Sequence, residues 1–371
     1  MRVITIRASS KRELLKFIKF PLSLYSQSKY FVPPLLYERK DFFNPRKNPF
    51  FDHADVAYYL ALSDRGEVLG RISAHIDWNY VEFQKEKVGF FGFFDCVDDV
   101  EVAKALLETA CDFHRKKGME WVLGPMNFNT NQEVGVLAEG FDSQPCVMMP
   151  YNFPYYLGLL ESCGFGKAKD LYAYWVYYDT IPRVMKRVSE RVREKSGVYL
   201  RNLDIKQFAS ELELVRKIYN SAWENNWGFV PMTDSEIDYL AHNLKQIVDP
   251  SLAFFVYLND RPVGFFLALP DYNIVLKEMR GRLFPFGFLK LLWGKRKIDR
   301  MRVLIMGVVE EHRHTGIEAV MLDEIYRVTP SRGYIGAEVS WILEDNLAMN
   351  RIISRLASEP YKVYRIYGKN L

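Results

Sequence analysis

Gly92 to Gly124 lies without a gap on Gly307 to Val339, apolar strand on apolar strand and amphipathic helix on amphipathic helix, with Gly118 falling on Gly333. The match extends outward. Upstream, AYYLALSDRGEVLGRISAHID (Ala57 to Asp77) and AFFVYLNDRPVGFFLALPD (Ala253 to Asp271) each read as two apolar strands around a polar turn, Asp64-Arg65-Gly66 in one and Asp260-Arg261 in the other. Downstream, Asn152 and Asn346 each open a short helix, Phe153 to Cys163 and Leu347 to Ala357. Tyr-rich strands follow at Leu171 to Asp179 and Tyr361 to Tyr367. Self-similarity at this period constrains the fold strongly, because both copies must be the same supersecondary unit. The shared order is strand, helix, hairpin, strand, helix, strand, helix, strand. The expected class is therefore α/β (α+β): two tandem domains, each a mixed central sheet flanked by helices. The expected boundaries are 1–180 and 198–371, joined by a connector helix over 181–197 whose SERVREK run, Ser189 to Lys195, reads as a solvated charged face.

With 371 residues and 49% hydrophobic content, the chain can bury two cores of ordinary size. A net charge of +4 is far below that of a dedicated nucleic-acid binder, so no nucleic-acid partner is expected. Cys96, Cys111, Cys146 and Cys163 have no CxxC spacing, which points to reduced, packed thiols and to no metal site. The N-terminus lacks a long apolar run, and no stretch of 18 apolar residues occurs anywhere. The expected location is cytoplasmic, with association at the inner face of the membrane left open. Nearer the start, Val3 to Ile6 reads as a strand and Ser10-x-x-Glu13 as a capping box opening a helix that Pro21 ends. Phe31 to Phe51 reads as a long aromatic-anchored loop.

The chemistry is expected in Met301 to Arg327, MRVLIMGVVEEHRHTGIEAVMLDEIYR. An apolar strand broken by Gly307 leads into a polar loop, and Ile317, Val320, Met321, Ile325 and Val328 then recur at helical spacing. The first N–H groups of a helix are unpaired and carry partial positive charge. Arg313, His314, Thr315, Gly316 and Ile317 could thus hold a pyrophosphate, with Gly316 allowing close approach. Thr315 and Glu318 also have capping-box spacing, and that arrangement would occupy the same N–H groups. The equivalent loop of the first copy is Asp98, Asp99, Val100 and Glu101, whose carboxylates suit a helix dipole and repel phosphate. Only the second copy is expected to take an anion.

Arg313-His314-Thr315-Gly316 resembles the Arg/Gln-x-x-Gly-x-Gly/Ala loop of GNAT-superfamily acyltransferases, with Glu318 at the last motif position. The element order resembles the GNAT fold in both copies. The tandem also resembles FemX-type aminoacyltransferases and, more closely, a set of bacterial GNAT-like proteins that includes ceramide synthases. That last likeness is carried by Gly124-Pro125-Met126-Asn127-Phe128, Gly140-Phe141-Asp142, Met148 to Asn152 and Trp341 to Asn346. It implies an N-acyltransferase that uses acyl-CoA (coenzyme A as co-substrate) on an amine acceptor, a small molecule or a lipid-like sphingoid amine. The alternatives are a non-catalytic ligand-binding protein and a FemX-like aminoacyltransferase.

The resemblance implies that Met306, Val308 and Val309 polarise the thioester carbonyl and that Asn346 helps hold the cofactor. Acyl transfer also needs a path for the amine proton and a proton for the thiolate. Glu310, Asp345 and Glu338, the last inside an apolar strand, are the candidates for the proton route. The family's usual acid position is not a Tyr here, so Tyr364 is the candidate replacement, with Tyr361 and Tyr367 as other choices. Trp223, Asn226 and Trp227 form an aromatic wall with a polar handle, and Asn129 lies in a polar run after a strand. Both are expected to line the acceptor site. The insertion 279–302, MRGRLFPFGFLKLLWGKRKIDRMR, has no counterpart in the first copy. It combines Leu283, Phe284, Phe286, Phe288 and Trp293 with flanking Lys and Arg, the composition of an interfacial segment and so a candidate for peripheral membrane contact. The sequence leaves the oligomeric state open.

Overall fold

The protein, a computed structural model, is described over residues 1–371 apart from 7–9, 179–180, 196, 225, 284–286 and 358. Phe284 and Phe286 of the insertion, and the side chains of Phe288 and Leu292, therefore lie outside the described residues. The elements in chain order are β1 (Arg2–Ile6), α1 (Lys11–Leu24), α2 (Leu36–Phe42), β2 (Ala54–Leu62), β3 (Val68–Asp77), α3 (Trp78–Gln84), β4 (Val88–Cys96), α4 (Val100–Lys116), β5 (Trp121–Gly124), β6 (Val136–Glu139), α5 (Tyr155–Ser162) and β7 (Gly166–Tyr177). The second half adds α6 (Arg183–Lys195), β8 (Val198–Asn202), α7 (Phe208–Trp223), α8 (Asp234–Leu244), β9 (Ala253–Leu258), β10 (Arg261–Pro270), α9 (Asn273–Met279), α10 (Gly287–Gly294), β11 (Arg300–Val308), α11 (Ile317–Ser331), β12 (Gly336–Leu343), α12 (Leu347–Ile353) and β13 (Lys362–Asn370). These pack as two units. The first is Met1–Leu171 with Asn273–Gly294 and Lys362–Leu371, and the second is Tyr172–Tyr272 with Lys295–Tyr361.

In the first unit the strand order is β1-β2-β3-β4-β5-β13, with β6 also paired to β13. Neighbours through β4 are antiparallel, β4–β5 is parallel, and β13 returns antiparallel to β5. The second unit repeats this as β8-β9-β10-β11-β12, antiparallel except for the parallel β11–β12 pair. The duplication in the sequence is thus a duplication of sheet topology. Helix α4 buries Val102, Ala103, Leu106, Leu107, Ala110 and Cys111 on one face, and α11 buries Ile317, Val320, Met321 and Ile325. Each large aliphatic side chain so buried contributes roughly 1.5–3 kcal/mol.

Three local expectations are corrected. Helix α1 runs through Pro21 instead of ending there, and Ser10 makes no side-chain cap. Proline lacks the N–H that would bond the carbonyl four residues back, and Arg71 Nη1 donates to that orphaned Phe17 carbonyl at 2.8 Å. Residues 31–51 contain α2 and a short 3-10 turn at Pro49–Asp52, where Phe42, Phe43 and Phe50 are buried. The SERVREK run of α6 is solvated at Glu190, Arg191 and Glu194, but the helix is also packed. Met185 and Ser189 are buried, Ser189 Oγ donates to Asp323 Oδ2 at 2.8 Å and Arg193 reaches Glu324 at 3.4 Å on α11. The apolar Met185, Val188 and Val192, at helical spacing, outweigh the surrounding charges.

Candidate active site

In the second unit β11 and β12 are paired only from Arg300 opposite Gly336 to Val303 opposite Val339. Beyond that point the strands part. On its other edge β11 has a bulge between the pairs Leu267/Ile305 and Ala268/Val303, leaving Leu304 as the extra residue. Val309 donates to the Val263 carbonyl at 2.9 Å. Bonding residues alternate in an antiparallel ladder, so Met306 and Val308 turn their N–H and C=O groups toward the edge that β12 has left. Gly307, between them, is covered by Trp223. A Cβ there would come within 2.4 Å of the indole, which stacks on Tyr219 with centroids 4.8 Å apart.

The loop after β11 leads into α11 through His314 (φ 63°) and Gly316 (φ 93°). The expected capping box does not form. Thr315 Oγ1 donates instead to the His312 carbonyl at 2.6 Å, and Glu318 Oε1 accepts from the His314 N–H at 3.4 Å. Gly316, the residue at the helix start, has no side chain to cap with. The N–H groups of Thr315, Gly316, Ile317 and Glu318 consequently have no acceptor among the described residues. Gly316 is also required by packing, since a Cβ would meet Val188 and Val192 of α6 at 2.9 Å. Arg313 Nη2 donates to the Ala222 carbonyl at the end of α7 at 2.8 Å. It therefore ties the loop to the helix that carries Trp223.

Glu338 is fully buried, and so is not the solvated carboxylate its charge would suggest. Its Oε1 accepts from Ser340 Oγ at 2.7 Å and lies 3.7 Å from Arg302 Nε, while Tyr361 donates its hydroxyl proton to Oε2. Arg302 in turn donates to Ser340 Oγ at 2.9 Å and lies over the Trp341 ring. Arg302 and Glu338 face each other because the parallel register pairs them, one step before the strands part. Ser340, two residues on, lies beyond the last paired residue.

Of the other candidates, Glu310 is exposed in a single 3-10 turn, and Asn346 caps α12 by accepting from the Met349 N–H at 3.1 Å. Asn226 and Trp227 are half-buried in the loop after α7, where the Asn226 N–H donates to the Trp223 carbonyl at 2.8 Å. Tyr364 and Asn129 belong to the first unit, where both are buried. The chain leaves the second unit between Tyr361 and Lys362, and Tyr361 is the tyrosine on Glu338. Sequence reasoning missed Arg302, Ser340 and the packing of α6 against Gly316. A charged residue inside the apolar run Met301 to Val308 was the available signal for Arg302.

The first unit has the same parting strands, but they are filled. β4 and β5 pair only over Val88 to Phe90. The following chain then closes the opening: Met126 N–H donates to the Phe91 carbonyl at 2.7 Å, Phe93 N–H to Asn127 Oδ1 at 2.7 Å, and Phe128 is fully buried. At the start of α4 the Asp99 carboxylate accepts from Glu101 and Val102 N–H at 2.9 and 3.3 Å. Asp99→Ala is expected to cost about 1 kcal/mol through the lost cap, measured as a shift in denaturation midpoint. A neutral result would show that this end is capped by solvent.

No family model matches the chain. Over 370 residues it is 37% identical to Protein YghO of Escherichia coli (strain K12), covering 98% of this chain and 94% of the relative. Over 375 residues it is 36% identical to the bacterial ceramide synthase of Caulobacter vibrioides (strain NA1000 / CB15N), covering 99% and 97%. Among solved structures it is similar to a tandem GNAT protein from the clavulanic acid biosynthesis pathway, with a TM-score of 0.57 at 11% identity over 100% of this chain and 98% of that one. At that identity the likeness is one of fold.

Proposed function

The chain belongs to the bacterial ceramide synthase family of tandem GNAT-fold proteins, and from that premise we propose that it is an acyl-CoA-dependent N-acyltransferase working at the second unit. One observation carries the reading: an open strand edge at Met306 and Val308 stands in the same unit as an uncapped helix start at Thr315 to Glu318, whereas both features are closed in the first unit. These groups fit a pyrophosphate and an extended amide-containing arm, which need N–H donors and strand-like pairing. When bound, the thioester supplies the acyl group. Transfer breaks its C–S bond and forms the amide C–N bond, so one proton must leave the amine and one must reach the thiolate.

The residues Ser340, Glu338 and Tyr361 form a hydrogen-bonded line from the parting strands through a buried carboxylate to a half-buried phenol. We assign them the amine proton's exit, with Arg302 as a positioning residue that holds Glu338 and Ser340. Trp223 and Trp227 would line the acceptor side. The ceramide synthase relationship favours a sphingoid-type amine and a long acyl chain. Peripheral membrane contact through 279–302 is supported by Leu289 and Trp293, 40% and 71% exposed, and no helix among the described residues is long and apolar enough to cross a membrane. A second reading, binding without turnover, is favoured by the Glu318 carboxylate at the loop and by Arg313 engaged elsewhere.

The test pairs palmitoyl-CoA or acetyl-CoA with sphinganine, following free thiol and amide mass. Amine-dependent thiol release, faster with palmitoyl-CoA, is expected. Release from no pair would leave the binding reading, and loss of activity after RNase treatment would favour an aminoacyl-tRNA donor.

A further inference from the structure

The first unit contains a cavity of about 1800 Å³ lined by α1, the segment after it, and the α9–α10 insertion. Its walls are strongly basic. Along α1, Arg12, Lys16 and Lys19 stand at helical spacing on one face, and across from them are Lys277, Arg280, Arg282 and Lys290. Among the described lining residues Glu278 is the single acid. The side chains of Arg12, Lys16, Lys19, Arg280 and Arg282 have no carboxylate partner among the described residues. Like charges four apart on a helix destabilise it, and a concave wall of one sign concentrates its field.

The lining is not only basic. Leu15, Phe20, Leu22, Phe31, Leu36 and Met279 give the same cavity an apolar part. The insertion is fixed to this region from its own side, since Leu36 N–H donates to the Gly281 carbonyl at 3.2 Å and Lys277 Nζ to the Lys29 carbonyl at 2.5 Å. The volume exceeds that of a usual drug-sized site, and cations in one cavity with an apolar part match a molecule with an anionic head and a long hydrocarbon tail. We propose that this cavity is a binding site for a phosphate-headed lipid, separate from the acyl-CoA site of the second unit. The tail lies against Leu15, Phe31 and Met279, and the phosphate lies between the α1 and α9–α10 cations.

Dodecyl phosphate, used below its micelle concentration, is the probe, with inorganic phosphate and dodecyl maltoside as head-only and neutral-head controls, read by calorimetry on the full chain. Binding of dodecyl phosphate at least tenfold tighter than either control is expected. Lys16→Glu with Lys19→Glu, and separately Arg280→Glu with Arg282→Glu, should each weaken it at least tenfold, while Arg313→Glu leaves it unchanged. Thermal melts confirm that the variants fold; a pair that does not fold is replaced by the same positions as Gln. Failure of the wild type to bind, equal binding by the maltoside or by phosphate alone, or unaltered binding in both folded pairs would each overturn the proposal. Loss in Arg313→Glu would move the ligand to the second unit and overturn it too. None of these readings depends on turnover, so they stand apart from the outcome of the acyltransferase assay.

Discussion

Glu338→Leu is expected to destabilise the protein by about 3–5 kcal/mol, because it leaves the Arg302 guanidinium buried without its counter-charge. Arg302 is 4% exposed and Glu338 fully buried, so bulk water has little access to either. The double variant Arg302→Leu with Glu338→Leu should recover most of that loss, since two apolar side chains of similar volume are tolerated where one orphaned charge is not. Denaturant midpoints of the two singles and the double decide this. A cost below about 1 kcal/mol for Glu338→Leu alone would mean that the pair contributes little. Glu338→Gln separates structure from chemistry: it keeps the volume and the contacts with Ser340, so a large fall in turnover with little change in midpoint would mark the carboxylate as part of the proton path.

The first unit should lose about 4 kcal/mol of stability between pH 7.5 and pH 5, through two buried histidines. His75 and His114 are both fully buried. Burial first, and the proximity of His114 second, pushes His75 down to about 3, and burial pushes His114 down to about 4. Each is neutral in the fold and donates its Nε2–H to a carbonyl, His75 to Phe128 at 2.7 Å and His114 to Phe90 at 3.0 Å. Gly89 leaves the room for the His114 ring, which a Cβ would meet at 2.1 Å. The unfolded chain takes up a proton at the ordinary value of 6.5, so it binds more protons below that pH. The stabilisation is therefore complete above pH 6.5 and is lost as pH falls toward the folded values, about 2 kcal/mol per histidine by pH 5. Chemical denaturation at stepped pH should show the decline, and His75→Gln with His114→Gln should flatten it. A level profile in the wild type would contradict the neutral, buried assignment.

The features that depend on one stretch of chain were legible in the sequence. The duplication, the strand-loop-helix at Met301 to Arg327 and the contrast between the loops Asp98 to Glu101 and Arg313 to Gly316 follow from residue type and spacing. What depends on register or on long-range contact was not. The Arg302 and Glu338 pairing needs the parallel alignment of two strands separated by a helix. The persistence of α1 through Pro21 needs a guanidinium from β3, fifty residues later in the chain. Thr315 and Glu318 had capping-box spacing, yet the left-handed turn at His314 and Gly316 sends the hydroxyl to His312 instead. Tyr364 and Tyr361 are three residues apart, and the chain passes from one packed unit to the other between them. Periodicity gives no sign of such a crossing, nor of the grouping of Asn273–Gly294 with the first unit.

The most direct test of the account is the stoichiometry of cofactor binding, measured calorimetrically with coenzyme A and octanoyl-CoA on the full chain. One molecule per chain is predicted, with a melting shift equivalent to about 2.7 kcal/mol when the ligand is at 100 times its dissociation constant. Arg313→Glu should weaken it at least tenfold by placing a carboxylate at the helix start and releasing the loop from Ala222, while Asp98→Ala with Asp99→Ala leaves affinity unchanged. Two molecules per chain, no binding at all, or equal affinity in the Arg313 variant would contradict a single acyl-CoA site at Met306 to Glu318.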